Sequence, residues 1–314
     1  VHEGRVRALS HGSKHFFKEM DMSQNVHLVI IDPQIDFCAR NQINLPVPLQ
    51  FDAATRQQFF VDQDFGTLTV PGAAEDVERI AKLVTKLRDR LRDIHVTLDS
   101  HHLVDIAHPQ WWKNPQGGHP APFTIIEVDD VEQGNWTPAL RSKSIRDWSR
   151  DYVKQLADND RYPLCIWPPH CLIATKGALT VPVLEEALMN WEHNRGATVD
   201  KITKGSNPKT EHYSAVMADV PIPNDAFTQL NAGFIRTLEE ADEVLLCGEA
   251  GSHCLANTVR DVANNFADDS YIAKLVLLED GTSPVPGFEQ MQTDFIKELS
   301  GRGMRVTTTT DYVA

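Results

Sequence analysis

Short apolar runs with little polar alternation recur along the chain. Val26-His27-Leu28-Val29-Ile30-Ile31 is rich in β-branched residues and ends at Asp32-Pro33, which predicts a strand buried on both faces. Similar runs predict strands over 94–98, 164–166, 198–203, 244–247, 272–278 and 304–309. Between them the apolar spacing changes to three and four. Val77, Ile80, Ala81, Val84, Leu87 and Leu91 share a helical face opened by Pro71-Gly72. Ile145, Trp148, Tyr152, Val153 and Leu156 predict a helix that Thr137-Pro138 would start, as N-cap and proline at N1. Further helical faces are Leu184, Ala187, Leu188 and Trp191; Phe227, Leu230, Phe234 and Leu238; Leu255, Val259, Val262 and Phe266; and Phe288, Met291, Phe295, Ile296 and Leu299. Residues 41–70 read as irregular. The alternation predicts an α/β fold of three α/β/α layers around a central, mostly parallel sheet with Rossmann-like order. Ligands of such sheets bind beyond the carboxyl ends of the strands. Asp32, Asp99, Lys204 and the Gly248–Cys254 turn stand there.

Composition narrows the partners. Thirty basic residues against forty-four acidic ones leave a net charge of −14, which argues against nucleic acid and anionic membrane surfaces. The five cysteines (Cys38, Cys165, Cys171, Cys247, Cys254) are odd in number and scattered, so no disulfide framework is expected. That usage reads as a reducing, cytoplasmic compartment. No run approaches the roughly 20 apolar residues that span a bilayer. Residues 1–24 are polar, with His2, His11, Lys14 and His15, and read as a flexible terminal segment or tag remnant. Residues 25–314 read as one domain. An insertion at about 109–163 interrupts the alternation with Pro109, Pro115, Gly117, Gly118, Pro120 and Pro122.

Three groups carry candidate chemistry. Cys254 follows a strand and a small-residue turn and starts a helix. The helix N-terminus offers partial positive charge and free N–H groups, which favour a thiolate and can hold an oxyanion. Asp32 and Lys204 close two other strands and could flank that thiol as proton acceptor and charge partner. Asp99-Ser100-His101-His102, with His108 and His170, offers a carboxylate and imidazoles, a donor set for Zn, Fe or Mn. Each group also has a plain structural reading: a buried inert cysteine, surface ion pairs, a solvated histidine-rich loop.

The motifs taken together resemble the isochorismatase-like cysteine hydrolases. Val29-Ile30-Ile31-Asp32-Pro33-Gln34-Ile35-Asp36-Phe37-Cys38 is similar to the family's opening D-x-Q-x-D-F motif. Thr97-Leu98-Asp99-Ser100-His101 with His108 resembles the metal loop of its nicotinamidase (pyrazinamidase) branch, and Trp167-Pro168-Pro169-His170-Cys171 its W-P-x-H-C motif. Lys204-Gly205 with Tyr213-Ser214 resembles the lysine segment, and Gly248 to Cys254 the nucleophile turn. The resemblance implies an isochorismatase-like fold and a triad of Asp32, Lys204 and Cys254. It further implies an oxyanion hole of the Ala250 and Cys254 amides beside a cis Glu249–Ala250 bond, and ring contacts from Phe37 and Trp167. One divalent metal, Zn2+ with Fe2+ or Mn2+ as alternatives, would sit on Asp99, His101, His108 and His170. The implied activity is hydrolysis of nicotinamide to nicotinate and ammonia through an acyl-thioester, for NAD salvage. The partner is then a small-molecule amide, with a homo-oligomer left open.

Departures keep other readings open. Gly251-Ser252 stands where Thr-Asp is usual, Ser100 where an aromatic is common, and one extra residue precedes His108. The long stretch from His108 to Trp167 replaces a short loop. A cysteine amidase for another small amide or ureido substrate, or a non-catalytic scaffold, are the alternatives. The insertion lies between two candidate ligands, His108 and His170. Its Trp111, Trp112, Trp136 and Trp148 must bury against something, so it reads as a lid or interface element, or as a packed insertion without catalytic role.

Overall fold

The computed structural model describes residues 24–313; residues 1–23 of the expected flexible segment lie outside them. Six parallel strands form the central sheet: β1 Val26–Ile31, β2 Leu91–Asp99, β3 Asp200–Lys204, β4 Glu243–Gly248, β5 Leu275–Leu278 and β6 Arg305–Thr307. Their spatial order is β6-β5-β4-β1-β2-β3. The chain thus starts in the middle, runs to one edge, and crosses back beyond β1 to fill the other half. Every residue of β1 is buried, His27 included, as the apolar run around it requires of a central strand covered on both faces.

The principal helices are α1 Ala73–Leu87, α2 Lys143–Asp158, α3 Pro182–Arg195, α4 Ala232–Glu240, α5 Cys254–Asn265 and α6 Glu289–Gly301. α1 packs on α3 and α5 on α6. Right-handed crossovers put α1 and α3 on one face and α4 to α6 on the other, which completes the expected three layers. α3 opens with Pro182 at its first turn and stops at Gly196 in the left-handed region, the usual asymmetry of helix ends. No helix among the described residues is long and apolar enough to cross a membrane.

Several local expectations are corrected. Thr137–Pro138 does not start α2; it pairs antiparallel with Trp112–Lys113, and the helix begins five residues later after Ser142. Phe227 is not on α4. It is 81% exposed in a short 3-10 turn, because the Asn231 side chain caps the helix by accepting from Phe234 N–H at 3.0 Å. Leu164–Cys165 pairs with Ile125–Ile126 outside the main sheet. Leu91 begins β2 instead of extending α1, and residues 41–70 hold a helix at Ala53–Phe60.

The N-terminal half of the sheet is tied by histidines. His27 Nδ1 and His95 Nε2 lie 3.0 Å apart across β1 and β2, and His95 Nδ1 meets Asp200 Oδ2 of β3 at 2.9 Å. Burial first, and then His95, lower His27 to about 4. The folded state therefore refuses a proton that the unfolded chain accepts near its ordinary value of 6.5. Stability is full above that value and falls as pH drops toward 4. The thermal unfolding midpoint is expected to decline across this window, and less steeply in His27→Gln. Parallel profiles for the two proteins would contradict it.

Candidate active site

The strand order reverses between β1 and β4, and a crevice opens at their carboxyl ends. Register sets its contents. Ile31 lies beside Gly248 and Asp99 beside Lys204, so Asp32, Asp99, Lys204 and the turn after Gly248 emerge together. Gly248 has φ +102°, and a Cβ there would lie 2.1 Å from Ile31 O; only glycine lets β4 approach β1 this closely. Asp32 itself has φ +42°, an uncommon conformation for a residue with a side chain and one that clusters at functional sites.

Lys204 is the hub. Its side chain is fully buried, with Nζ 2.8 Å from Asp32 Oδ2, 3.3 Å from Asp99 Oδ1 and 3.4 Å from Cys254 Sγ. Thr97 Oγ1 donates to Asp32 Oδ1 at 2.5 Å and accepts from Asp32 N–H at 3.0 Å. Gln34 grips the backbone of Asp99, accepting from its N–H at 2.7 Å and donating to its carbonyl at 2.8 Å. Cys254 starts α5. The preceding turn contains a cis Glu249–Ala250 bond. Its internal bonds run from His253 and Leu255 N–H to Ala250 O and from Gly251 N–H to Ser283 O, so the amides of Ala250 and Cys254 are not consumed by them.

Beside this cluster lies a second one that shares Asp99. His101 Nε2 is 3.0 Å and His170 Nε2 3.4 Å from Asp99 Oδ2. The ligand atoms of Asp99, His101 and His170 lie within 4.8 Å of one another. The far ring nitrogens are engaged: His170 Nδ1 with Pro168 O at 2.9 Å, His108 Nδ1 with His102 O at 3.0 Å, and His101 Nδ1 with Asp105 at 3.3 Å. Such partners fix the tautomer that turns Nε2 toward a metal. His108 stands beside the group, its ring 5.1 Å from His101 and 5.4 Å from His170, with a buried, unpartnered Nε2. A carboxylate, imidazoles and an orphaned ring nitrogen fit a divalent transition metal. His102 is exposed and takes part only through its carbonyl, which meets His108 Nδ1.

No protein-family profile matches the chain, and no curated protein sequence matches it. Solved structures do. An Acinetobacter baumanii nicotinamidase/pyrazinamidase aligns with a TM-score of 0.56 at 21% identity, over 93% of this chain and 100% of that one. The yeast nicotinamidase aligns at 0.55 and 20%, over 90% and 99%. An L. infantum protein in complex with nicotinate aligns at 0.52 and 20%, over 93% and 96%. The chain has the nicotinamidase fold.

Within this nicotinamidase fold, both clusters border a cavity lined by Phe37, Trp167, Tyr213, Ala250, His253 and Cys254 among others. Phe37 and Trp167 are both among the residues that line it. The cavity leaves about 20 Å³, room for one water, so a ring-sized amide enters only as lining side chains move. Burial pushes the Cys254 thiol well above its ordinary value, and Lys204 acts against that push. Burial likewise raises Asp32, with Lys204 acting against it. Burial would discharge Lys204, but Asp32 and Asp99 outweigh it and keep the ammonium. Burial would also raise Asp99; His101 and Lys204 outweigh it and hold that carboxyl well below the usual range.

Glu211 is a buried, cavity-lining carboxyl that sequence reasoning did not single out. It lines the cavity, its Oε1 is 3.9 Å from His101 Nε2, and its Oε2 is buried without a partner. It lies inside the lysine segment, two residues before Tyr213, but is not one of the residues that carry the resemblance. The insertion is what holds it: Tyr152 OH on α2 accepts from Glu211 N–H at 3.0 Å, and Trp148 Nε1 donates to Lys209 O at 2.7 Å. Tyr162 packs on the His253 ring at 5.6 Å and Phe123 on Trp167 at 5.7 Å. Trp111 and Trp112 of the insertion are buried, their ring nitrogens donating to Ser149 Oγ at 3.0 Å and Ile106 O at 2.7 Å.

Proposed function

We propose that this chain is a cysteine amidohydrolase that cleaves nicotinamide, or a closely similar small ring amide, to the acid and ammonia. The observation that carries the reading is the buried Lys204 ammonium, which touches Asp32, Cys254 and the ligand carboxylate Asp99 at once. Asp32 takes the Cys254 proton, a transfer favoured by the raised affinity of its buried carboxyl for protons. The Lys204 charge balances the thiolate and carboxylate as they form. The sulfur attacks the amide carbon, and the Ala250 and Cys254 amides hold the oxyanion. Asp32 returns its proton to the leaving ammonia, and a water activated by the same carboxylate then releases the acid from the thioester. Asp99, His101, His108 and His170, with Glu211 close by, would hold a divalent metal. When bound, it would supply a Lewis-acid anchor for a ring nitrogen and so orient the amide. Phe37 and Trp167 would sandwich the ring.

Ammonia release from nicotinamide, run beside a panel of aliphatic, aromatic and ureido amides, tests this. Turnover of nicotinamide above the panel is expected. Preference for another amide would move the substrate and keep the chemistry. No release from any amide, with Cys254 inert to small electrophiles, would leave the scaffold reading.

A further inference from the structure

The nucleophile turn contains a buried carboxyl that the mechanism above does not use. Glu249 and Asp76 of α1 are each 2% exposed, and both carboxyls meet on Ser283, whose hydroxyl donates to Asp76 Oδ2 at 2.6 Å and whose N–H donates to Glu249 Oε2 at 3.1 Å. Two carboxyls so close in a dry setting cannot both ionise. Their donors are unequal. Asp76 accepts from the Ser283 hydroxyl at 2.6 Å and from the Arg79 guanidinium. Glu249 accepts only from Ser283 N–H, at 3.1 Å on Oε2, and its buried Oε1 has no donor. A bare carboxylate oxygen there would be unsatisfied, whereas the same oxygen carrying a proton has an acceptor in Asp76. Hydrogen-bond supply therefore places the charge on Asp76 and the proton on Glu249. Burial, then Asp76, push Glu249 well above the usual carboxylate range. Arg79 is the cation facing the pair, and the thiols near Glu249 are Cys38, at the end of the short helix Ile35–Cys38, and Cys247 of β4.

That proton sits at the root of the oxyanion turn. Glu249 N–H donates to Ile31 O at 2.8 Å, and the next amide is that of Ala250. Ser283 then stitches the turn from across the crevice: its carbonyl accepts from Gly251 N–H at 2.9 Å. Val285 N–H adds a bond to Ser252 Oγ at 3.0 Å. We propose that Glu249 is a positioning residue, a neutral acid whose bonds to Asp76 and Ser283 hold the Ala250 amide and the Cys254 turn in register for the oxyanion. This rests on the reading of that turn as an oxyanion hole.

The test uses acylation of Cys254 by p-nitrophenyl acetate, which forms an oxyanion without requiring the natural substrate. Glu249→Gln keeps a neutral group with an N–H for Asp76 and a carbonyl for Ser283; Glu249→Leu keeps bulk and loses both. The Gln variant should acylate at a maximal rate within about threefold of wild type. The Leu variant should lose at least about tenfold in maximal rate, with half-saturation within about twofold. In infrared spectra at mildly alkaline pH, the wild-type minus Gln difference should contain the C=O stretch of a neutral carboxylic acid, shifted in D2O. Absence of that band, a Leu variant as fast as wild type, or a Gln variant as slow as Leu would each overturn the proposal. So would a wild-type Cys254 that is not acylated at all. A wild type that acylates but ignores nicotinamide sinks only the substrate assignment.

Discussion

Cys254→Ala is expected to abolish amide hydrolysis while leaving the fold in place. The change removes one sulfur from a residue already 7% exposed and keeps both ion pairs of Lys204, with Asp32 at 2.8 Å and Asp99 at 3.3 Å. The unfolding midpoint should therefore move little. The rate should not survive, because the sulfur that attacks the amide carbon is gone. A loss on the order of 10⁴-fold or more follows from removing the attacking atom. Activity within tenfold of wild type, about 1.4 kcal/mol in barrier, would overturn the assignment. Asp32→Asn and Lys204→Ala should each cost several orders of magnitude on their own. Neither should add to Cys254→Ala, since the three act as one unit. The wild-type pH profile carries the same logic. Asp32 must be ionised to take the thiol proton, and burial raises its affinity for protons. Activity is expected to fall on the acid side at a higher pH than an ordinary carboxylate would impose. An acid limb at the ordinary aspartate position would argue against Asp32 as the base.

Periodicity carried the layers of this fold because each element has one buried face. β1 is apolar apart from His27 and sits at the centre of the sheet; Val77, Ile80, Ala81, Val84 and Leu87 are all buried on α1. The errors fall where tertiary pairing decided the outcome. Thr137-Pro138 has the look of a helix start, yet its backbone pairs with Trp112–Lys113, and no local signal announces so short a bridge. Phe227 has helical spacing to Phe234, but the Asn231 cap ends that register. Asp32, Asp99, Lys204 and Cys254 were legible because each closes a strand or opens a helix after one, and parallel topology gathers those ends. Glu211 was not, because its place depends on Tyr152 reaching from the insertion, a contact between residues far apart in sequence. A helix start can be seen in sequence, but the burial that raises the Cys254 thiol comes from the surrounding chain.

Asp99→Asn is expected to disable both halves of the site at once. One carboxylate oxygen faces Lys204 at 3.3 Å, while the other faces His101 at 3.0 Å and His170 at 3.4 Å. Replacing it removes an anionic ligand and leaves the buried ammonium with Asp32 as its remaining ion-pair partner. Removing one member of a buried ion pair costs about 3–5 kcal/mol, so a lowered unfolding midpoint accompanies the loss. His101→Ala separates the effects, because it takes a ring from the metal cluster and touches neither Lys204 nor Cys254. Elemental analysis should find near-stoichiometric transition metal in wild type and in His102→Ala, and strongly reduced metal in both His101→Ala and Asp99→Asn. Acylation of Cys254 by p-nitrophenyl acetate should persist in His101→Ala and collapse in Asp99→Asn. Full metal content in Asp99→Asn would remove that residue from the ligand set. Equal acylation by the two variants would show that the Asp99 charge does not support the nucleophile, and would confine its role to the histidine cluster. The expected split follows from geometry alone: a single buried carboxylate is the only side chain in contact with both the lysine and the histidines among the described residues, so charge placed on one cluster is felt by the other.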